Sequence, residues 1–242
     1  MAATGKVGSI KATARAAGSL YLVIFIANMF AYFFVGSSLV VPGDAKATAN
    51  SIMASEPLFR SGIVSYLVVF LSDIGVAVLL YLLLKPVNRT LALVMMVSRL
   101  IQTTVHGANL LNQFFPLLLL GGGDYLAGFG PDQVNALVLL FLNAHSYGVL
   151  LSEAFFGLST VLLGYLVYRS SYFPRIVGAL LVVASLAYFL DSFGIFLLPS
   201  YEAIIKQVIV APAIIGEMAF TLWLLIKGVS VERRQERALQ PA

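Results

Sequence analysis

The sequence predicts an all-α, polytopic membrane protein with six transmembrane helices, and three observations predict it. Hydrophobic residues make up 60% of the 242 residues and charged residues only 11%, about half the charged share of a soluble domain. Six apolar stretches run through the chain, each at least as long as the ~20 residues that cross a hydrocarbon core. Lys and Arg cluster on alternate connections between those stretches, which is the signature of cytoplasmic loops.

Taken in order, the spans are expected at residues 16–38, 61–84, 90–119, 134–168, 176–198 and 203–227. Lys6, Lys11 and Arg15 precede the first. They imitate the basic end of a signal peptide, but the apolar run that follows is too long for one, and cleavage is not expected. Pro42-Gly43-Asp44 then reads as a turn into a helix with Asp44 as N-cap. Ala45 to Glu56 forms a short helix on the outer surface, ended by Pro57; a plain surface connection is favoured over a cover for a cavity mouth. Lys85-Pro86-Val87-Asn88-Arg89 makes a tight inner link between the second and third spans. Arg169 to Arg175 does the same for the fourth and fifth, so each pair should lie antiparallel and adjacent. Gly121-Gly122-Gly123 and Gly130-Pro131 mark an outer turn. The third and fourth spans exceed a bilayer core and must tilt, kink or protrude; Gly148 is the candidate kink.

Lys85, Arg89, Arg169, Arg175, Lys227, Arg233, Arg234 and Arg237 fall on the same side as the N-terminal basic residues. The positive-inside rule then places both termini in the cytoplasm. Residues 1–230 read as one transmembrane domain and 231–242 as a short basic cytoplasmic tail. Phe70-Leu71-Ser72-Asp73-Ile74-Gly75 resembles Phe189-Leu190-Asp191-Ser192-Phe193-Gly194. These would be the middle helices of two three-helix halves of opposite topology, which suggests a 3+3 inverted repeat.

Much chemistry is excluded. There is no Cys, so there is no disulfide, thiol nucleophile or thiolate metal site. The net charge of +4 is spread over one side of the membrane with no basic domain, which argues against nucleic acid. No phosphate-cradling glycine loop, zincin helix or nucleophile elbow occurs. The last span carries no deep Lys for a retinal Schiff base; Lys206 lies near its end. The balance leans away from an enzyme.

What remains is a set of ionisable residues inside the spans: Asp73, Arg99, His106, His145, Glu153, Asp191 and Glu217. Each costs at least ~2.5–3.5 kcal/mol at mid-membrane unless paired or hydrated, and so marks a candidate functional site. Counting from the flanking basic residues puts Asp73, Arg99 and Glu217 at similar depth, with Glu153 and Asp191 slightly further out. Asp73 and Arg99, on hairpin-linked helices, are read as a structural ion pair. Glu153, Asp191 and Glu217 have no further deep cation, and must be protonated, hydrogen-bonded, hydrated or bound to a cation. Structural carboxyls are one reading; a proton- or cation-linked cavity is the other. Asn28, Gln102, Thr103, Asn109, Asn143 and Ser192 are available to line that interior, Asn143 and Gln102 foremost, although polar residues on spans also serve as interhelical glue.

His106 and His145 suggest a second chemistry. They lie about 20 residues either side of the outer turn, and a symmetric hairpin sets them opposite each other, as bis-histidine haem ligation needs. Counting from the inner ends separates them by roughly 11 Å instead. With Glu153 and Asp191 they would supply enough ligands for zinc, but no i, i+3 or i, i+4 spacing supports that set.

Val41-Pro42-Gly43-Asp44, Leu84-Lys85-Pro86-Val87-Asn88-Arg89-Thr90, Leu142-Asn143-Ala144-His145-Ser146-Tyr147-Gly148 and Phe173-Pro174-Arg175-Ile176-Val177-Gly178 together resemble an uncharacterised bacterial membrane family, domain of unknown function 4386, over roughly residues 10 to 228. The resemblance implies six helices and a bacterial inner-membrane location. It carries no catalytic residues.

The leading expectation is therefore a protein that binds, senses or transports a small solute or cation through an acid-lined polar interior. One alternative is a membrane enzyme or redox protein with a metal or haem at His106 and His145. Another is a non-catalytic partner subunit whose acids are structural. The partners expected are the bilayer and a small solute or cation. Small residues at Gly178, Ala179, Ala184 and Ala187 would permit close helix approach, within the chain or in a homo-oligomer.

Overall fold

A computed structural model describes residues 2–230, with side chains from residue 10 onward. The tail 231–242, with Arg233, Arg234 and Arg237, and the Lys6 side chain lie outside the described residues. The described chain is helical throughout, without a strand. Six helices are long and apolar enough to cross a membrane: Ile10–Leu39, Glu56–Leu84, Arg89–Leu120, Pro131–Arg169, Arg175–Leu197 and Pro199–Ile226. They are called the first to sixth spans. Their flanks carry large exposed apolar side chains such as Ile26, Leu71, Leu186, Leu197 and Ile226, which is the surface that lipid covers.

Three spans depart from α-helix along their length, and the sixth opens with a 3-10 turn at Pro199–Tyr201. The first passes through a π-helix at Phe30–Gly36. The fifth does so at Leu190–Gly194, the segment that carries Asp191. Its sequence counterpart on the second span, around Asp73, stays α-helical within Glu56–Leu84. The third span breaks between Arg89–Asn109 and Leu111–Leu120. There the Gln113 N–H bonds to the Leu110 carbonyl at 2.9 Å rather than to that of Asn109. The Asn109 side chain also takes a bond from Asn112 Nδ2 at 2.9 Å, a local side-chain link of the kind that competes with helix. The fourth span is one helix of 39 residues with no break at Gly148. Gly148 serves close approach instead of a kink: a Cβ there would overlap the Asn109 amide.

The short helix is Ala45–Ala54. Asp44 caps it, its Oδ1 accepting from the Ala47 N–H at 2.8 Å. Pro57 does not end it. The helix stops at Ala54, and Pro57 sits in the first turn of the second span, where a missing N–H costs nothing. Nor is it a loose surface link. Thr48, Ala49 and Ile52 are buried, and the Thr48 hydroxyl ties down Val41 through both its N–H, at 3.0 Å, and its carbonyl, at 3.2 Å. Asp44→Ala is expected to cost about 1 kcal/mol, read as a lower unfolding midpoint in detergent.

The residues group into two compact units. Among the described residues, unit 1 holds 2–22, Ser72–Thr103 and 150–230; unit 2 holds Val23–Leu71 and Thr104–Val149. In unit 1 the spans touch backbone to backbone through small residues. A Cβ on Gly164 would meet the Gly178 carbonyl at 2.8 Å, and one on Gly216 would meet Leu180 O at 2.7 Å. Leu80, Leu163, Leu181, Phe220 and Leu224 fill the space between. Two cross-span bonds to backbone, Tyr172 OH to Leu83 O at 2.8 Å and Ser159 Oγ to Met95 O at 3.0 Å, fix the register. Unit 2 is built on Val35, Leu39, Ile52, Ile63, Leu110 and Val138, with Gly62 making room for Val35. Of the small residues singled out above, Gly178 and Ala184 are used within the chain, Ala184 against Gly216.

Candidate functional site

Unit 1 carries a buried polar cluster. At one side Arg99 of the third span, 2% exposed, donates from Nε to Asp73 Oδ1 of the second span at 2.7 Å, with Nη2 at 2.5 Å from the same oxygen. Thr103, one turn along from Arg99, donates to Asp73 Oδ2 at 2.5 Å. Arg99 Nη1 donates to the Tyr21 hydroxyl of the first span at 2.8 Å. The guanidinium lies over the rings of Tyr21 and Phe156, at 4.8 and 5.0 Å from their centroids. Such cation–π contacts partly replace lost hydration. Arg99 is thus tied to three other spans and has its charge matched by Asp73. Gln102 sits beside this knot, its Oε1 3.4 Å from the Thr103 hydroxyl.

The other acids are arranged differently. Glu217 of the sixth span accepts from the Tyr188 hydroxyl of the fifth at 2.8 Å. The Tyr188 ring packs edge-on against Phe156, at 4.8 Å between centroids. Glu153 of the fourth span and Asp191 of the fifth are neighbours, their carboxyls close enough that the charge of one acts on the other. Glu153 also feels the charges of Glu217 and Lys206. Asp191 is 8% exposed. Asp191 Oδ1 and Glu153 Oε2 are both buried without a hydrogen-bond partner among the described residues. Two carboxyls at this range repel if both are ionised and bond if one carries a proton; a cation between them satisfies both. Asp191 lies within the π-turn at Leu190–Gly194, and π-bulges recur at functional sites.

Unit 2 holds the histidines. The rings of His106 and His145 lie 5.9 Å apart, centroid to centroid. Tyr66 packs against both, at 5.8 and 5.7 Å, and Phe70 against His106 at 5.0 Å. The break in the third span leaves the Asn109 carbonyl 3.3 Å from His145 Nδ1. Asn109 Nδ2 lies 3.2 Å from the same nitrogen and donates to the His145 carbonyl at 2.8 Å.

The sequence-derived candidates therefore separate. Asp73, Arg99, Gln102, Glu153, Asp191 and Glu217 fall in unit 1, with Thr103 and the buried Ser192. His106, His145 and Asn109 fall in unit 2. Asn143 is also in unit 2 and is exposed, so it lines neither cluster: ten residues before Glu153, it is about 15 Å up the same helix and on another face. No three His, Asp or Glu gather as a metal-holding set among the described residues, and the four-ligand zinc arrangement is not assembled. The tyrosines Tyr21, Tyr66 and Tyr188 had no motif to mark them. Their only signal was a hydroxyl in mid-span, where it must find a partner.

Residues 16–228 match the family model described as "Domain of unknown function (DUF4386)". An uncharacterised protein of Archaeoglobus fulgidus is 30% identical over 171 residues, covering 69% of this chain and 83% of that protein. No solved structure matches the chain.

Proposed function

We propose, for a chain that belongs to the family described as a domain of unknown function (DUF4386), that the protein binds a small cation at Glu153 and Asp191, and that this site is where a solute or cation is sensed or moved across the membrane. The observation that carries the reading is the pair of orphaned oxygens, Glu153 Oε2 and Asp191 Oδ1, buried on two neighbouring carboxyls. Arg99, the buried cation among the described residues, is already committed to Asp73 and Tyr21. Glu217 is engaged separately by the Tyr188 hydroxyl at 2.8 Å and does not join the pair as a third ligand among the described residues. A carboxyl pair without a donor is costly to bury, and a site that pays stability for ligand affinity is the ordinary reason to keep one. With the basic connections on the cytoplasmic side, both termini face the cytoplasm in this reading.

Full-length protein in mild detergent, melted in Li⁺, Na⁺, K⁺ or NH₄⁺ at constant ionic strength, tests it. A bound cation at a hundred times its Kd stabilises by about 2.7 kcal/mol. At least one cation is expected to raise the wild-type midpoint along a saturating curve, and Glu153→Gln/Asp191→Asn to abolish that rise while remaining monodisperse. An identical salt response in the double variant, or none in wild type, overturns the reading.

A further inference from the structure

The two imidazoles of unit 2 take no part in the acid site, and their geometry points to a ligand of its own. His106 Nε2 and His145 Nε2 are both buried and both lack a hydrogen-bond partner among the described residues. A single orphaned imidazole nitrogen is tolerable in a core. Two on rings 5.9 Å apart, contributed by neighbouring stretches of the third and fourth spans, form a paired donor set. His145 is 6% exposed. Its Nδ1 lies against the Asn109 carbonyl at 3.3 Å, and donating there leaves the Nε2 lone pair bare. That is the arrangement in which a protein orients a metal-binding histidine through its other nitrogen.

We propose that His106 and His145 form a two-coordinate site for a single monovalent copper ion. The spacing fits: two metal–nitrogen bonds of about 2 Å in line set imidazole centroids roughly 6 Å apart. The donor count fits as well. Zinc takes three or four protein ligands, and no third His, Asp or Glu joins the pair among the described residues. Copper(I) accepts two nitrogens in line. The surroundings favour a single charge over a double one, because there is no carboxylate in the set and burying charge is costly. Tyr66 and Phe70 pack against the imidazoles, Tyr66 at 5.7 Å from His145 and Phe70 at 5.0 Å from His106 between centroids, and give the pair apolar neighbours. A haem does not fit between these rings. Tyr66 is nearly equidistant from both, at 5.8 and 5.7 Å. Its ring therefore sits in the plane the porphyrin would occupy, close enough to the midpoint that its atoms would overlap the macrocycle.

Tag-free protein in detergent, titrated anaerobically with Cu(I) against a colorimetric Cu(I) chelator, tests the site. One copper per chain is expected, with affinity at least a hundredfold weaker in His106→Gln and in His145→Gln. X-ray absorption at the copper edge of the wild type, which needs no variant to fold, should show two nitrogen neighbours and the edge feature of two-coordinate Cu(I). The proposal is overturned if wild type takes no copper from the chelator, if both variants hold it as tightly as wild type, or if the neighbours are sulfur.

Discussion

Arg99→Met is expected to destabilise the protein by about 3–5 kcal/mol, the loss typical when one partner of a buried ion pair is removed. The side chain is 2% exposed, it is matched by Asp73 at 2.7 Å, and it also holds Tyr21 at 2.8 Å. Without it Asp73 keeps, among the described residues, only the Thr103 hydroxyl, and a carboxylate is left in the protein interior with one donor. The second half of the expectation is a rescue. Asp73→Leu/Arg99→Met removes both charges and should recover at least half of the loss, since a buried pair is often replaceable by apolar residues of similar volume. Unfolding by SDS titration of protein in mixed micelles reads both effects. If the double variant is as unstable as the single, the damage comes from lost packing on Tyr21 and Phe156, and the ion-pair account is wrong.

Gly178→Val should cost about 3 kcal/mol, the upper end for overpacking. A Cβ at Gly178 would lie 2.6 Å from the Tyr168 nitrogen and 2.7 Å from the Gly164 carbonyl oxygen. Both are backbone atoms of the fourth span, so no rotamer change can relieve the contact; the fourth and fifth spans must separate. They are the spans that bring Glu153 to Asp191, and cation-dependent stabilisation should fall along with the melting midpoint. Gly128→Ala is the control, because nothing lies within 4 Å of its Cβ position; it should leave the stability within about 0.5 kcal/mol of wild type. Equal effects at the two positions would refute the close-contact account.

Much of the fold was legible because the bilayer imposes simple rules on sequence. Each span needs a continuous apolar run, and backbone groups in lipid must be satisfied within a helix. The predicted spans and those of the structure agree to within a few residues, apart from the longer start of the first two. The Asp44 cap was legible because an Asp after Pro-Gly and before a helical stretch has few other uses. Pro57 was misread because a proline that ends one helix and a proline that starts the next look the same in sequence.

The acid cluster was legible only as a set of residues. Apolar sequence makes a charge conspicuous, so Asp73, Arg99, Glu153, Asp191 and Glu217 stood out at once. Which of them meet depends on helix rotation as well as depth, and a spacing of 1.5 Å per residue gives depth alone. Asn143 shows the limit: its polarity suggested an interior role, and the structure turns it outward. The π-turn under Asp191 and the helix break under Asn109 have no dependable sequence mark, since each rests on a shift of one residue in backbone bonding.

Sequence by itself thus determined that the chain is a six-span membrane protein, where its spans run, and which few charges lie inside them, because hydrophobic length and the cost of buried charge act residue by residue. Tertiary structure alone decided that Arg99 spends its charge on Asp73, that Glu153 and Asp191 are left as neighbours, and that two histidines 39 residues apart in the chain meet ring to ring. Those pairings arise from how helices rotate and pack, and that is fixed by contacts such as Gly164 on Gly178, made between residues distant in sequence.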